Sequence, residues 1–224
     1  MKVRLATVTR VIVLGLVGAI AFAFLRPPPE ASGPIQAIAL EQPGSATLTR
    51  FEIQPAESQA RFVIDEVLRG SPKTVVGATN QVAGQIAVDS ANPEGAQVGA
   101  ILVNARTFVT DSTQRDRAIQ NFILQTDAHE YIAFQPTDLV DLPPSARMGE
   151  AMNLQVVGDL TIRGVTRPVT FKATVTPESA DRLQGSAATT IRYADWGITN
   201  PEVPAVTGVS DAVGLQIDFV ATAA

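Results

Sequence analysis

Two-residue alternation constrains this chain more than any other feature. In the run Val213–Ala221, Val213, Leu215, Ile217 and Phe219 fall on one side of an extended chain. Gly214, Gln216, Asp218 and Val220 fall on the other, because successive side chains of a strand point to opposite faces. Pro168–Thr176 repeats the pattern, with Val169, Phe171, Ala173 and Val175 opposed to Thr170, Lys172, Thr174 and Thr176. Further short runs are Ala60–Val67, Gln81–Val88, Val98–Phe108, Tyr131–Thr137, Asn153–Ile162 and Gly185–Tyr193, eight in all. Strands with one apolar and one wetter face belong to an antiparallel sandwich or a closed barrel. Turn signals fall between them, at Arg69-Gly70-Ser71-Pro72, Ser90-Ala91-Asn92-Pro93, Leu142-Pro143-Pro144 and Arg163-Gly164.

One segment departs from this period. Behind Thr110-Asp111-Ser112, a set of residues suited to capping, Ala118, Ile119, Phe122 and Ile123 recur at helical spacing. The spacing predicts a helix over Thr113–Leu124, packed on the sheet or across a barrel end.

The N-terminus follows another logic. Met1–Arg10 carries Lys2, Arg4 and Arg10 and no acid, and Val11–Leu25 is apolar or glycine throughout. Arg26 and Pro27-Pro28-Pro29 stop it. Residues 1–25 therefore read as a membrane anchor or a signal segment. Fifteen residues reach about 22 Å, and extension back to Leu5 allows a span with Arg10 at the headgroups. Small-x-small pairs at Ala19/Ala21 and Ala21/Ala23 permit cleavage, but each leaves a bulky Phe as the new first residue. The basic flank keeps the N-terminus inside, so the expected location is the extracytoplasmic side of the cell membrane on a single-pass anchor. Secretion after cleavage is the alternative. Residues 26–50, with five prolines, read as a linker, and 51–224 as a single domain.

Composition then excludes several functions. With Lys2, Arg4, Arg10 and Arg26 set aside, 13 bases face 22 acids, a net charge of −9, which argues against nucleic acid as a partner. The absence of cysteine removes disulfides, thiolate metal sites and thiol nucleophiles, and the single histidine, His129, removes multi-histidine metal sites. No cofactor is implied. His129 sits between acids in Asp127-Ala128-His129-Glu130 without a Gly-x-Ser-x-Gly elbow, and reads as a solvated loop residue. Arg115 and Asp116 suit either a polar headgroup or capping and a tie to a neighbouring loop. Trp196 and Tyr193 suit an aromatic plug, and Arg163 and Arg167 a solvated turn.

Val76-Gly77, followed by Val82-Ala83-Gly84-Gln85-Ile86-Ala87-Val88-Asp89, resembles the start of a YceI-like domain. So do Thr110-Asp111-Ser112-Thr113-Gln114-Arg115-Asp116 and Tyr131-Ile132-Ala133-Phe134. The strongest likeness is Val157-Gly158-Asp159-Leu160-Thr161-Ile162-Arg163-Gly164-Val165-Thr166-Arg167-Pro168-Val169, with Asp195-Trp196-Gly197-Ile198 and Val209-Ser210-Asp211 after it. The resemblance runs over about Phe51–Ala221 in the family's order. It implies a lipocalin-like, eight-stranded antiparallel barrel whose apolar interior takes an isoprenoid lipid, of the isoprenoid quinone or polyprenyl phosphate type. Where many members carry a histidine soon after the Arg-Asp pair, this chain has Ala118.

Read alone, the residues leave the interior open. Small residues at Gly84, Ala105, Gly158, Ala173, Gly185 and Ala187 fit an under-filled barrel, or crowded corners and bulges. The apolar faces place Phe62, Ile64, Ile132, Phe134, Phe171 and Ile217 against the chain of a bound lipid. The expected function is binding or carriage without catalysis. An enzyme acting on such lipids, which would need a paired acid and base inside the barrel, and a solid-core adhesive module are the alternatives.

Overall fold

The computed structural model describes residues 27–40, 48–89, 92–201 and 206–224. The expected anchor, residues 1–25, lies outside the described residues. Among those described, no helix is long and apolar enough to cross a membrane.

The domain is an all-β, antiparallel, curled sheet with one short helix. Its strands are β1 (Thr49–Ile53), β2 (Gln59–Leu68), β3 (Ser71–Thr79), β4 (Val82–Ala83), β5 (Gln85–Asp89), β6 (Asn92–Val98) and β7 (Ile101–Asn104). After the helix α1 (Thr113–Ala118) come β8 (Tyr131–Val140), β9 (Met152–Ile162), β10 (Val165–Ser179), β11 (Arg182–Arg192), β12 (Val206–Thr207) and β13 (Ala212–Ala223). The pairing path runs β4-β7-β8-β9-β10-β11-β13-β1-β5-β6. Only Gly84 separates β4, paired to β7, from β5, paired to β1, so the two sides of the path meet there and the sheet curls back on itself. The first half of β13 pairs β2 and its last residues pair β1. β3 extends the β2 side, and Ala78 exchanges two backbone hydrogen bonds with Val109, tying that side to the segment after β7.

All eight expected strand segments are extended at least in part, but two change character. The run expected over Gln81–Val88 breaks at Gly84, whose carbonyl accepts a hydrogen bond from the Ile53 amide at 3.0 Å. A Cβ at Gly84 would lie 2.4 Å from Ile101 Cδ1, so the backbone passes where no side chain fits. In the run expected over Val98–Phe108, Val98 ends β6 and the next strand covers only Ile101–Asn104. The buried Asn104 side chain accepts the Arg106 amide at 3.0 Å and turns the chain into a 3-10 turn, Ala105–Thr107.

The hairpin at Arg163-Gly164 is a two-residue turn, since Ile162 pairs Val165 and both turn residues have positive φ, 52° and 73°. Arg163 is not simply solvated: its Nη1 donates to the Ile123 carbonyl at 2.9 Å. Helix formation begins where expected, with Ser112 accepting the Arg115 amide and Asp116 accepting from the Thr110 amide and hydroxyl. It ends earlier as an α-helix, because Ile119–Ile123 widens into a π-helical turn. Gln120, buried there, donates to the Arg106 and Phe108 carbonyls.

The described part of the Pro-rich segment lies along the outside of the sheet. Near one end of the domain, the Ser32 amide and hydroxyl donate to Glu130, which also takes Asn104 Nδ2 at 3.1 Å and pairs with Arg106 at 2.8 Å. Ile35 is buried, and the Leu40 amide donates to Gln85 Oε1 at 3.0 Å. Residues 27–40 therefore run as a strap from the end bearing Arg106 toward the strand β5.

Candidate functional site

Inward residues of a curled sheet either fill its interior or line it, and here they line it. A cavity of about 1140 Å³ lies inside the sheet, beyond the roughly 300–1,000 Å³ usual for a drug-sized ligand. The apolar faces expected for β10 and β13 point into it: Phe171, Ala173 and Val175 from one, and Val213, Leu215, Ile217 and Phe219 from the other. Along β13 this lining runs about 20 Å at ~3.3 Å per residue.

All six residues expected to meet a lipid chain, Phe62, Ile64, Ile132, Phe134, Phe171 and Ile217, line this one space. Only Phe134 is buried; the other five face inward yet stay partly accessible. Protein does not cover them. Rings are held by edge contacts, Phe134 on Phe171 at 4.9 Å and Phe62 on Phe108 at 5.4 Å between centroids.

The small residues turn out to have two different uses. Ala173 and Ala187 line the cavity. Gly158 and Gly185 instead give Phe134 and Phe219 a place to lie: a Cβ on Gly158 would sit 2.4 Å from the Gln135 carbonyl oxygen and 2.8 Å from the Phe134 ring. On Gly185 it would sit 2.5 Å from Phe219. Gly84 is a crossing point, and Ala105 is fully buried in its turn. Gly77, named only as part of the family resemblance, serves the same use as Gly158 and Gly185: the Phe62 ring lies so closely over it that a Cβ would be 2.1 Å away. An inward face made of Val75, Gly77 and Thr79 carries little apolar signal, so β3 went unread.

Polar groups gather at one end of the cavity, where α1 crosses it. Arg115 pairs with the buried Glu66 at 2.9 Å and with Asp111, and Lys73 also reaches Asp111, at 2.5 Å. The hydrogen bond from Lys73, outweighing the cost of desolvation and aided by Arg115, holds the Asp111 carboxyl below its usual range. The tie of Arg115 to a neighbouring loop is thus present. Trp196 is buried with Leu160, Ile191 and Ile198, and its Nε1 donates to the Leu160 carbonyl at 3.1 Å, as a plug would. His129 is only partly exposed: its ring lies over Gly164, where a Cβ would be 3.2 Å from Cε1. Arg167 Nε donates to the Asp195 carbonyl at 3.1 Å, which ties its turn to the Trp196 segment.

A curled antiparallel sheet around an apolar cavity, with a short helix over one end, defines a lipocalin-like class of protein. Within it, this chain belongs to the YceI-like domain family, whose model matches residues 51–221. It is similar to the UPF0312 protein of Pseudomonas putida, 30% identical over 168 residues that span 73% of this chain and 83% of that relative. A UPF0312 protein of Yersinia enterocolitica is 26% identical over 168 residues, 72% of this chain and 82% of its own. Several solved structures share the fold. A polyisoprenoid binding domain from Saccharophagus degradans matches with a TM-score of 0.58 at 15% identity, covering 79% of this chain and 99% of that one. BcnA of Burkholderia cenocepacia matches at 0.61 and 16% identity, covering 76% and 99%.

Proposed function

We propose that this chain binds or carries a long-chain isoprenoid lipid, of the isoprenoid quinone or polyprenyl phosphate type, without catalysing a reaction on it. The observation that carries this reading is the cavity of about 1140 Å³ whose inward apolar residues are left uncovered by protein. The polyisoprenoid binding domain that shares its fold supports the choice of ligand. Phe62, Ile64, Ile132, Phe134, Phe171 and Ile217 are the residues that would touch the chain. Residues 1–25 would anchor the domain on the extracytoplasmic face of the cell membrane, beside the pool from which such a lipid is drawn.

The energetics suffice. Burying a methylene yields about 0.8 kcal/mol, so one isoprene unit gives at most roughly 3–4 kcal/mol, and several units exceed the ~4–15 kcal/mol cost of association. A hydrocarbon slot discriminates weakly between similar chains, so selection by the tail alone is loose. The test is a charge in the slot. Ile217→Glu puts a carboxylate on the cavity wall with a desolvation cost of several kcal/mol. Uptake of a fluorescent long-chain polyene should fall at least tenfold in a variant that keeps the wild-type circular dichroism. Undiminished uptake in a folded variant would place the lipid elsewhere.

A further inference from the structure

The charged lining of the cavity is gathered mainly at one end. Glu66, Arg69, Lys73, Asp111, Arg115 and Arg117 stand at the end crossed by α1, on the β2–β3 hairpin and on the segment that α1 begins, and the one other charged lining residue, Arg61 further along β2, is paired with Asp218. The opposite end is framed by Leu139, Leu142, Ala146, Met148 and Met152, with no charged residue in its lining. The charged end holds four cations against two carboxylates, in a chain whose net charge is −5. Both carboxylates are already engaged: Glu66 by Arg115, and Asp111 by Lys73 and Arg115. Among the described residues, no ion pair reaches Arg69 or Arg117. Asn200 lines the cavity too, and its Nδ2 is buried without a hydrogen-bond partner. Asn200 follows the Trp196 turn and lies shortly before β12, which pairs with the end of β2, so this donor belongs to the charged end.

We infer that the cavity takes its amphiphile in one orientation, with an anionic, phosphate-type headgroup at Arg69, Lys73, Arg115 and Arg117 and the tail toward Leu142 and Met148. The inference rests on the lipid-binding reading and sharpens it. A guanidinium matches phosphate oxygens with paired donors, and a surplus of two cations at a partly desolvated mouth favours an anion over a neutral head of the same tail. The Arg115–Glu66 pair holds the rim in shape from below, while Arg69 and Arg117 remain available to the ligand.

Farnesyl phosphate and farnesol share a tail and differ in the head, so they separate the two claims. With the full chain in a non-ionic detergent common to both probes, isothermal titration should show farnesyl phosphate binding at least tenfold more tightly. The double variant Arg69→Gln, Arg117→Gln, which breaks no ion pair, should erase most of that preference and leave farnesol affinity unchanged. Raising the salt concentration should act in the same selective way. Equal binding of the two probes by the wild type, or an equal loss of both in the variant, overturns the headgroup inference and leaves tail binding standing. Inorganic phosphate binding as tightly as farnesyl phosphate overturns it in favour of a free-anion site. Binding of neither probe overturns the lipid reading and this inference with it.

Discussion

The seam at Gly84 and the wall of the cavity are built from the same kinds of residue and behave differently. At the seam, Val82 and Ala221 are 0% exposed, and Phe51, Ile53, Leu183 and Phe219 pack with them and are buried even where they border the cavity. On the wall, Phe62, Ile64, Ile132, Phe171 and Ile217 are inward and apolar but only partly buried. Both regions alternate with a period of two. The difference lies in what stands opposite: at the seam, strands from both sides of the pairing path converge on each other, whereas across the cavity the facing strands are too far apart for side chains to meet. Alternation reports which face points in. It does not report whether anything fills the space.

Substitutions that add volume should separate the two regions most sharply. Gly84→Val has no room at the seam, since even its Cβ would lie 2.4 Å from Ile101 Cδ1 and 3.3 Å from both the Ala100 carbonyl oxygen and Ile53 Cδ1. It should cost about 3 kcal/mol or prevent folding. Ala187→Leu adds the same number of carbon atoms on the cavity wall and should change stability by less than about 1 kcal/mol, while lowering the amount or the length of lipid the protein holds. Chemical denaturation of both variants checks the contrast, and comparable destabilisation would mean that the wall is packed like the seam.

A second contrast sets the strap against the sheet beneath it. Burial raises the Glu130 carboxyl, but hydrogen bonds from the Ser32 side chain and amide and from Asn104, with the Arg106 charge, overcome this and hold it below its ordinary value of 4.5. A carboxyl lowered by folding stabilises the native state above its unfolded value and loses that contribution as pH falls through the lowered one. Strap docking should therefore persist at neutral pH and weaken as pH falls below about 4.5. Glu130→Gln should cost about 1–2 kcal/mol and hasten proteolysis within 27–40, with cavity binding unchanged. An unaltered cleavage rate would show that Ile35 and Leu40 hold the strap without the ion pair.

The sequence made the long strands legible because their large inward residues recur without interruption, as in Phe171–Val175 and Val213–Phe219. The helix start was legible through Ser112 and Asp116. What escaped was structure whose signal is small or non-local. β3 buries Val75, Gly77 and Thr79, too slight a stripe to read. β6 contains Asn92, Pro93 and Gly95, a turn composition that a strand tolerates at the edge of a pairing path. The stop at Asn104 depends on Glu130 and Arg106, which the fold brings together from elsewhere. The six apolar cavity residues could be named from their faces, but the charged end could not. Glu66 and Arg115 are 49 positions apart, and nothing in their local sequence announces that they meet.

The central claim is that the interior is a slot for an apolar chain, and Phe171→Leu tests it with the smallest disturbance. Phe171 lines the cavity and touches Phe134 edge-on at 4.9 Å between centroids. The measurement is the melting temperature of wild type and variant, each freed of lipid and each loaded with a long-chain isoprenoid. The account predicts a lipid-free loss of less than about 1 kcal/mol, the scale of the ring contact, together with a clearly smaller rise in melting temperature on loading the variant. A lipid-free loss of about 2 kcal/mol or more, the scale of a cavity opened in a packed core, with no rise on loading either protein, would contradict it.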